Sequence, residues 1–539
     1  MSVPAPVASG AGAVAAEIGV AELPRGGRGD LVVAAASGAL LALAFPYPDW
    51  SPLAWVALVP LLWVALGRGP GVAFRYGWTA GLTFYLATLY WIVYTISHYT
   101  ALPPIVAVGP LLLLCGFLAL GTAAFVLGCE RARRHALPLA LVAPALWVAL
   151  WVALEWVRTW ILGGFPWVGL GYSQYRATYL IQFVEVTGVH GVSAVVVLVN
   201  VVVYQAFRRW RDGAPPPVRS LLAVTALLVA LVGWGTARVR ALEAAPAAGE
   251  LRIGLVQGNI PQDVKWDPAY QDATIAQYER LSAEAAAAGA RLVVWPEAAA
   301  PIFFQNPSVF RDRILALAAR LDVWLVFGSA AYGVDGDETV LFNRVYVVSP
   351  AGGEWSYDKM ELVPFGEYVP LADVFFFVHK IVEGVGDFRP GPAPVVFQGP
   401  AGAFGVLICY EGIFPDLTRR FVAGGADFLV NVTNDAWFGR TSAPYQHLAM
   451  GTLRTVENRV PLVRVANTGF SAIVDPAGTI RWRTGLFETA WRVDTVRWPG
   501  TPTVYARVGD VFVYACVALA VLALVAGPTL RTKGRHRSR

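Results

Sequence analysis

The sequence predicts two architectures in one chain, a polytopic α-helical membrane domain of about eight transmembrane helices and an α/β layered domain inserted before the last of them. Three observations predict this. The 539 residues are 56% hydrophobic and only 15% charged, with a mean hydropathy of +0.53. Long apolar stretches crowd residues 31–238, and short β-rich runs alternating with helical stretches occupy 251–496. Charge divides the same way: 250–500 holds 21 basic and 27 acidic residues, a net of −6, and the remainder nets +11. The overall +5 is therefore no continuous basic surface, and a nucleic-acid partner is not expected.

Taken in order, residues 1–30 read as a flexible leader rich in Ala, Gly, Val and Pro; its first basic residue is Arg25, so it lacks the charged start of a secretory signal. Seven apolar stretches follow, near 31–46, 52–67, 77–97, 104–128, 137–157, 189–207 and 219–237. An eighth runs over 508–530 and ends in a basic tail, 531–539. Arg68 and Arg75, then Arg131, Arg133 and Arg134, then Arg208, Arg209, Arg211 and Arg219 fall in alternate connections, and the tail is basic as well. Because basic loops stay cytoplasmic, both termini are expected inside and 250–497 on the extracytoplasmic face of the membrane. The connection 158–187, with Trp160, Phe165, Trp167, Tyr172 and Tyr175 among glycines, has the composition of a membrane interface and is expected to line a lipid or acyl-chain site.

In the α/β region the expected strands are LRIGLVQG, RLVVWPE, VWLVFGSAA, FNRVYVVSP, AFGVLICYE, DFLVNVTND, PLVRVANTG and SAIVDPAG, with helices over 270–288, 310–321 and 446–459. Cys409 is the one cysteine of this region, so no disulfide forms within it. It ends an apolar strand, where α/β folds present reactive groups. Glu297 ends another strand behind Pro296, and Lys359 precedes Glu367 by eight residues. An ordinary thiol is only a few per cent thiolate at neutral pH, so a nucleophilic cysteine needs a base and a neighbouring cation, which Glu and Lys can supply. The six histidines are scattered and pair with no cysteine at ligand spacing, so neither a metal nor another cofactor is expected.

These residues stand in WPEA, DKMELVPFGEYVP and LICYEGIFPD, followed by NVTNDAWFG and RTVENRVPLVRVANTGFSAIVDPAG. Together the segments resemble the nitrilase, or carbon–nitrogen hydrolase, superfamily, which implies an αββα sandwich with Glu297, Lys359 and Cys409 as its catalytic set. LVPFGEYVP, the Cys409-Tyr410-Glu411 triplet and the membrane segment WVALEWVRTWILGGFPWVGLGYSQ are similar to the apolipoprotein N-acyltransferase family. That resemblance implies a ping-pong enzyme of the membrane, with a phospholipid such as phosphatidylethanolamine as acyl donor and a diacylated apolipoprotein as acceptor, working as a monomer.

Glu367 is expected to orient Lys359 or tune the base, and Tyr410 and Glu411 to shape the pocket. Asn343, Trp437 and His447 are expected to be structural. The segment 368–386, with Phe375, Phe376 and Phe377 in a row, is expected to form a lid dipping into the bilayer. Two other readings stay open from the residues: a membrane-tethered amidase with water as acceptor, and a lipid-binding or transport protein with an inactive domain.

Overall fold

The computed structural model describes residues 26–100, 102–134, 142–368 and 388–522. Most of the leader, the expected lid, the end of the eighth stretch and the basic tail lie outside the described residues.

The first region is helical: α1 (Arg28–Leu43), α2 (Val59–Ala65), α3 (Pro70–Leu89), α4 (Trp91–Tyr99), α5 (Pro104–Arg134), α6 (Val142–Val157), α7 (Val184–Thr187), α8 (Val189–Arg211) and α9 (Val218–Ala244). Three described helices are long and apolar enough to cross a bilayer, Pro104–Arg133, Val189–Arg211 and Val218–Ala244. The expected span at 77–97 is a pair, α3 and α4, bent by 50°, which makes a fourth if it counts as one crossing. By length and composition the described helices thus do not reach the expected eight. The first stretch is a helix of 16 residues, about 24 Å long at 1.5 Å per residue and short of a hydrocarbon core of ~30 Å. The second breaks into a 3₁₀ turn, Ser51–Trp55, and the short α2. Within the bundle α3 packs on α1 and α5. Glycine permits this approach: a Cβ on Gly38 would lie 2.1 Å from the Ala80 carbonyl oxygen, and one on Gly77 would lie 2.8 Å from the Ala123 Cα.

The second region holds two sheets. The strands are β1 (Gly249–Gln257), β2 (Leu292–Val294), β3 (Ala300–Phe303), β4 (Trp324–Asp335), β5 (Glu338–Val348), β6 (Glu354–Asp358), β7 (Val396–Gln398), β8 (Ala403–Ile408), β9 (Phe428–Thr433), β10 (Leu462–Ala466), β11 (Ala472–Val474), β12 (Ile480–Arg483) and β13 (Ala490–Trp498). One sheet runs β13-β1-β2-β4-β5-β6, with β3 paired to β4, and the other runs β12-β11-β10-β9-β8-β7. In each, parallel strands form the centre (β1, β2, β4 and β8, β9, β10) and antiparallel strands the edges.

Side-chain alternation builds the layers. Leu292, Val294 and Val326 point into the core shared with Val406, Val430 and Val432 of the second sheet, whereas Val293, Leu325 and Phe327 point at α10 (Gln271–Ala287) and α11 (Val309–Leu321) through Ile275, Leu281, Ile314 and Leu317. With α12 (Pro415–Ala423) and α13 (Ala443–Asn458) packed on the second sheet, the order is helix, sheet, sheet, helix. A short helix, α14 (Val504–Val508), leads into an apolar helix, Val511–Leu522.

The two regions are pinned together by buried charge. The Arg459 guanidinium on the α13 end reaches Glu185 (2.8 Å) and Gln182 (2.6 Å) of the 158–187 segment, and Arg238 of α9 meets the same Glu185 at 2.9 Å. Trp167 donates its indole N–H to Gln446 Oε1 (2.7 Å), and the Val189 backbone N–H donates to Glu457 (2.8 Å).

Candidate active site

Cys409 follows the fully buried strand β8 and opens a 3₁₀ turn, Cys409–Ile413, after which Pro415 starts α12. This strand–turn–helix places the thiol at the end of a parallel strand, with Cys409 at φ +52°. A side chain in that left-handed region strains the backbone, and the surroundings must hold it there. The Cys409 carbonyl accepts from His447 Nε2 (3.1 Å) and Asn431 Nδ2 (3.3 Å). Burial and the Glu297 carboxylate push the thiol up to about 12, opposed by the Lys359 ammonium. At rest the sulfur is a thiol, and a base would have to take its proton for it to act as a nucleophile.

Carboxylates stand close by. Glu297 lies just beyond β2, and its Oε2 accepts from the Asn434 backbone N–H (2.9 Å), its Oε1 from Asn343 Nδ2 (2.7 Å). Gly328 lets the strand ends come this close, since a Cβ there would meet the Ala298 nitrogen at 2.2 Å and the Glu297 Cα at 2.8 Å. Lys359 follows β6; its Nζ is 2.9 Å from Glu367 and 3.6 Å from Glu297, with the side chain 1% exposed. Burial alone would lower the Lys359 ammonium, but Glu367 and Glu297 outweigh it and hold the group well above its ordinary value, charged. Asn343 also donates to Glu367 Oε1 (2.8 Å), so one amide bridges both carboxylates.

Glu411 fastens the two sheets at the site. Its Oε1 accepts from Tyr357 Oη (2.7 Å), the Met360 N–H (2.6 Å) and the Glu361 N–H (3.2 Å), all on the lysine strand or loop; its Oε2 accepts from the Ile408 N–H (2.7 Å) beside Cys409. Burial raises its carboxyl to about 7 against those donors. Tyr410 stacks on Trp167 (15° between rings) and meets Phe414 edge-on. Trp437 stands apart from this group and packs on Tyr99 of α4 at 4.6 Å.

Comparison with known proteins follows the same division of the chain. Residues 37–202 match the apolipoprotein N-acyltransferase N-terminal domain family, and 252–495 match the carbon-nitrogen hydrolase family. An apolipoprotein N-acyltransferase of Geobacter metallireducens is 45% identical over 513 residues, covering 94% of this chain and 97% of the relative. The chain belongs to the apolipoprotein N-acyltransferase family. Another apolipoprotein N-acyltransferase, from Nitrosomonas europaea, is 33% identical over 94% of this chain and 97% of its own. Among solved structures, an amidase from Nesterenkonia sp. aligns at 22% identity and a TM-score of 0.37 over 50% of this chain and 98% of that one.

Within this family member the structure gathers Glu297, Lys359, Cys409, Glu367, Asn343 and Glu411 around one point and leaves Trp437 at the rim. Asn343, expected to be structural, contacts both glutamates. Sequence reasoning missed Lys265, whose buried ammonium donates to the Glu297 carbonyl (3.1 Å) and is pulled down by burial to about 8 despite Glu297. It also missed Asn434 and the Thr433–Asp435 pair, although they lie at the end of a strand that parallels the nucleophile strand in NVTNDAWFG. That position was the available signal.

Proposed function

We propose that the chain is an apolipoprotein N-acyltransferase that moves the sn-1 acyl chain of a phospholipid, through a thioester on Cys409, to the α-amino group of an N-terminal diacylglyceryl-cysteine. The observation that carries this reading is the buried group of Glu297, Lys359 and Cys409 at converging strand ends, in a chain whose similarity to the acyltransferases runs through both regions. Similarity through the helical region is what favours acyl transfer over a membrane-tethered amidase.

The chemistry follows from the charges. Glu297 takes the thiol proton as Sγ forms a bond to the ester carbonyl carbon, and the electron pair moves to the oxygen, where the Lys359 ammonium offsets it. Collapse breaks the C–O bond, and the lysophospholipid alkoxide leaves with the proton from Glu297. The amine then attacks the thioester, Glu297 accepts its proton, and the thiolate departs and is reprotonated. Glu367 and Asn343 hold the Lys359 ammonium and the Glu297 carboxylate in place throughout.

A cavity of about 270 Å³ among α1, α3, α5 and α6, roofed by Ile161, Val168 and Leu170 and lined by Phe84, Phe117 and Phe125, supports the reading of 158–187 as part of an acyl-chain site. With both termini inside, an odd number of crossings before residue 250 would put the site at the extracytoplasmic surface, where phospholipid and lipoprotein precursors meet; the alternation of basic connections supports that orientation. Incubation with phosphatidylethanolamine alone should add one acyl group to Cys409, read by intact mass. No adduct in the wild type, or an adduct that persists in Cys409→Ala, would overturn the mechanism.

A further inference from the structure

One group at the site has no part in the proton transfers just described. His447 of α13 is 1% exposed and lies directly behind the nucleophile. Its Nε2 is 3.1 Å from the Cys409 carbonyl oxygen, which can only accept, so Nε2 carries the proton. Its Nδ1 lies 3.0 Å from Arg464 Nη2, which can only donate, and 3.2 Å from Asp435 Oδ1, which can only accept. Burial and the Arg464 charge outweigh Asp435 and favour the neutral ring; with its one proton on Nε2, Nδ1 accepts from Arg464. Asp435 stands behind both. It takes Arg464 Nη2 on both oxygens (2.8 and 3.0 Å) and the Thr433 hydroxyl on Oδ1 (3.0 Å). Burial would raise the Asp435 carboxyl, but the Arg464 guanidinium holds it well below the usual range, ionised.

Asp435 thus reaches the nucleophile through the Arg464-fixed tautomer of His447, whose Nε2–H meets the backbone carbonyl. Cys409 at φ +52° needs such a restraint, because an L-residue relaxes out of the left-handed region unless its neighbours over-determine it.

We propose that His447 is a positioning residue for the nucleophile: its Nε2–H, oriented by Arg464 and Asp435, clamps the Cys409 carbonyl and keeps the thiol aimed at Glu297 and Lys359. The proposal rests on the reading of Cys409 as the nucleophile, though not on the identity of the acyl donor or acceptor. The two nitrogens of histidine allow a clean test. Glutamine places an amide N–H where Nε2 stands, whereas asparagine places one only where Nδ1 stands.

The readout is the second-order rate of Cys409 alkylation by iodoacetamide in the detergent-solubilised full chain, followed by peptide mass and set beside the thermal midpoint. Losing one oriented hydrogen bond should slow His447→Asn by about tenfold, while His447→Gln stays within about threefold of wild type. Equal rates in His447→Asn and wild type, a faster His447→Asn, or a His447→Gln as slow as His447→Asn would overturn the proposal. Should the variants fail to fold, the wild type still decides. Solid-state NMR on enzyme labelled with 13C′-cysteine and 15N-histidine should show one cysteine carbonyl dipole-coupled to a protonated Nε2 of a neutral ring. An imidazolium, an Nδ1–H tautomer or no such coupling would refute it. Absence of an acyl adduct from phosphatidylethanolamine, with these results intact, would count against the proposed function and leave the clamp standing.

Discussion

Replacing Glu411 by Gln should loosen the joint between the lysine loop and the cysteine strand. The carboxylate has two oxygens and four donors: Tyr357 Oη, the Met360 and Glu361 N–H groups on Oε1, and the Ile408 N–H on Oε2. An amide has one oxygen. Its cheaper orientation keeps that oxygen at the Oε1 position and turns the NH₂ on the Ile408 N–H, so one 2.7 Å charge-assisted bond becomes a donor facing a donor. A buried hydrogen bond to a charged group is worth about 1.5–3 kcal/mol, and the residue is fully buried, so about 2 kcal/mol of stability should go at a pH well above 7, where its raised carboxyl is ionised. For a domain of this size that is a fall of about 4–8 °C in the thermal midpoint. Met360 and Ile408 adjoin Lys359 and Cys409, so misalignment should also slow acyl-enzyme formation by about tenfold or more. Differential scanning fluorimetry in detergent and timed intact-mass measurement after mixing with phosphatidylethanolamine give both numbers. A midpoint within 1 °C of wild type together with an unchanged acylation rate would refute the account of Glu411 as the fastener, on the scale set by the lost bond.

Three more outcomes follow from the same geometry. With its thiol raised to about 12, Cys409 is about 10⁻⁴ thiolate at pH 8 where an ordinary cysteine is roughly a quarter ionised, so iodoacetamide should modify it at least about a hundredfold more slowly in the folded enzyme than in guanidinium. Because the folded state favours the protonated sulfur, that rate should keep climbing through pH 10, and a plateau below pH 9 would contradict it. Asn343→Leu removes the amide between Glu297 and Glu367 and should cut the acyl-enzyme rate by about 10²–10³-fold, while retention within about threefold would show that the bridge is dispensable. Gly328→Ala should displace Glu297, since its Cβ meets backbone atoms at 2.2 and 2.8 Å; a comparable loss of acylation is expected, and a variant that acylates like wild type would disprove the close approach.

The alternation of apolar runs made the central strands readable: VVWPE, GVLIC and FLVNV are buried on both faces, so every residue in them reports its environment. Edge strands were not. The Ala490–Trp498 strand, AWRVDTVRW, carries three charges because one face meets water, and it joins β1 only through pairing that no local pattern announces. The membrane count met a different difficulty. Composition reports apolarity but not where prolines and 3₁₀ turns interrupt a helix, as they do at Ser51–Trp55. At the site, Glu297, Lys359 and Cys409 were legible because each closes a distinctive segment. Asn343 and Lys265 were not, since an amide within a strand and a lysine in a loop look ordinary until folding brings both against Glu297.

The seam around Glu185 has a consequence for how the molecule can be handled. Arg459, with its guanidinium on Glu185 and Gln182, is only 2% exposed, and Arg454 and Glu457 beside it are wholly buried. Cutting the chain near residue 248 to obtain a hydrolase-like fragment would strip the cover from all three, leaving Arg459 without Glu185 and Gln182, and the Arg454–Glu457 pair without Tyr172 and the Val189 N–H. The fragment should therefore precipitate or swell at exactly the face that carries α13, and with it His447. The Cys409 site is consequently held in one position against the helical region, and under the proposed function both lipid-bearing reactants would have to travel to it.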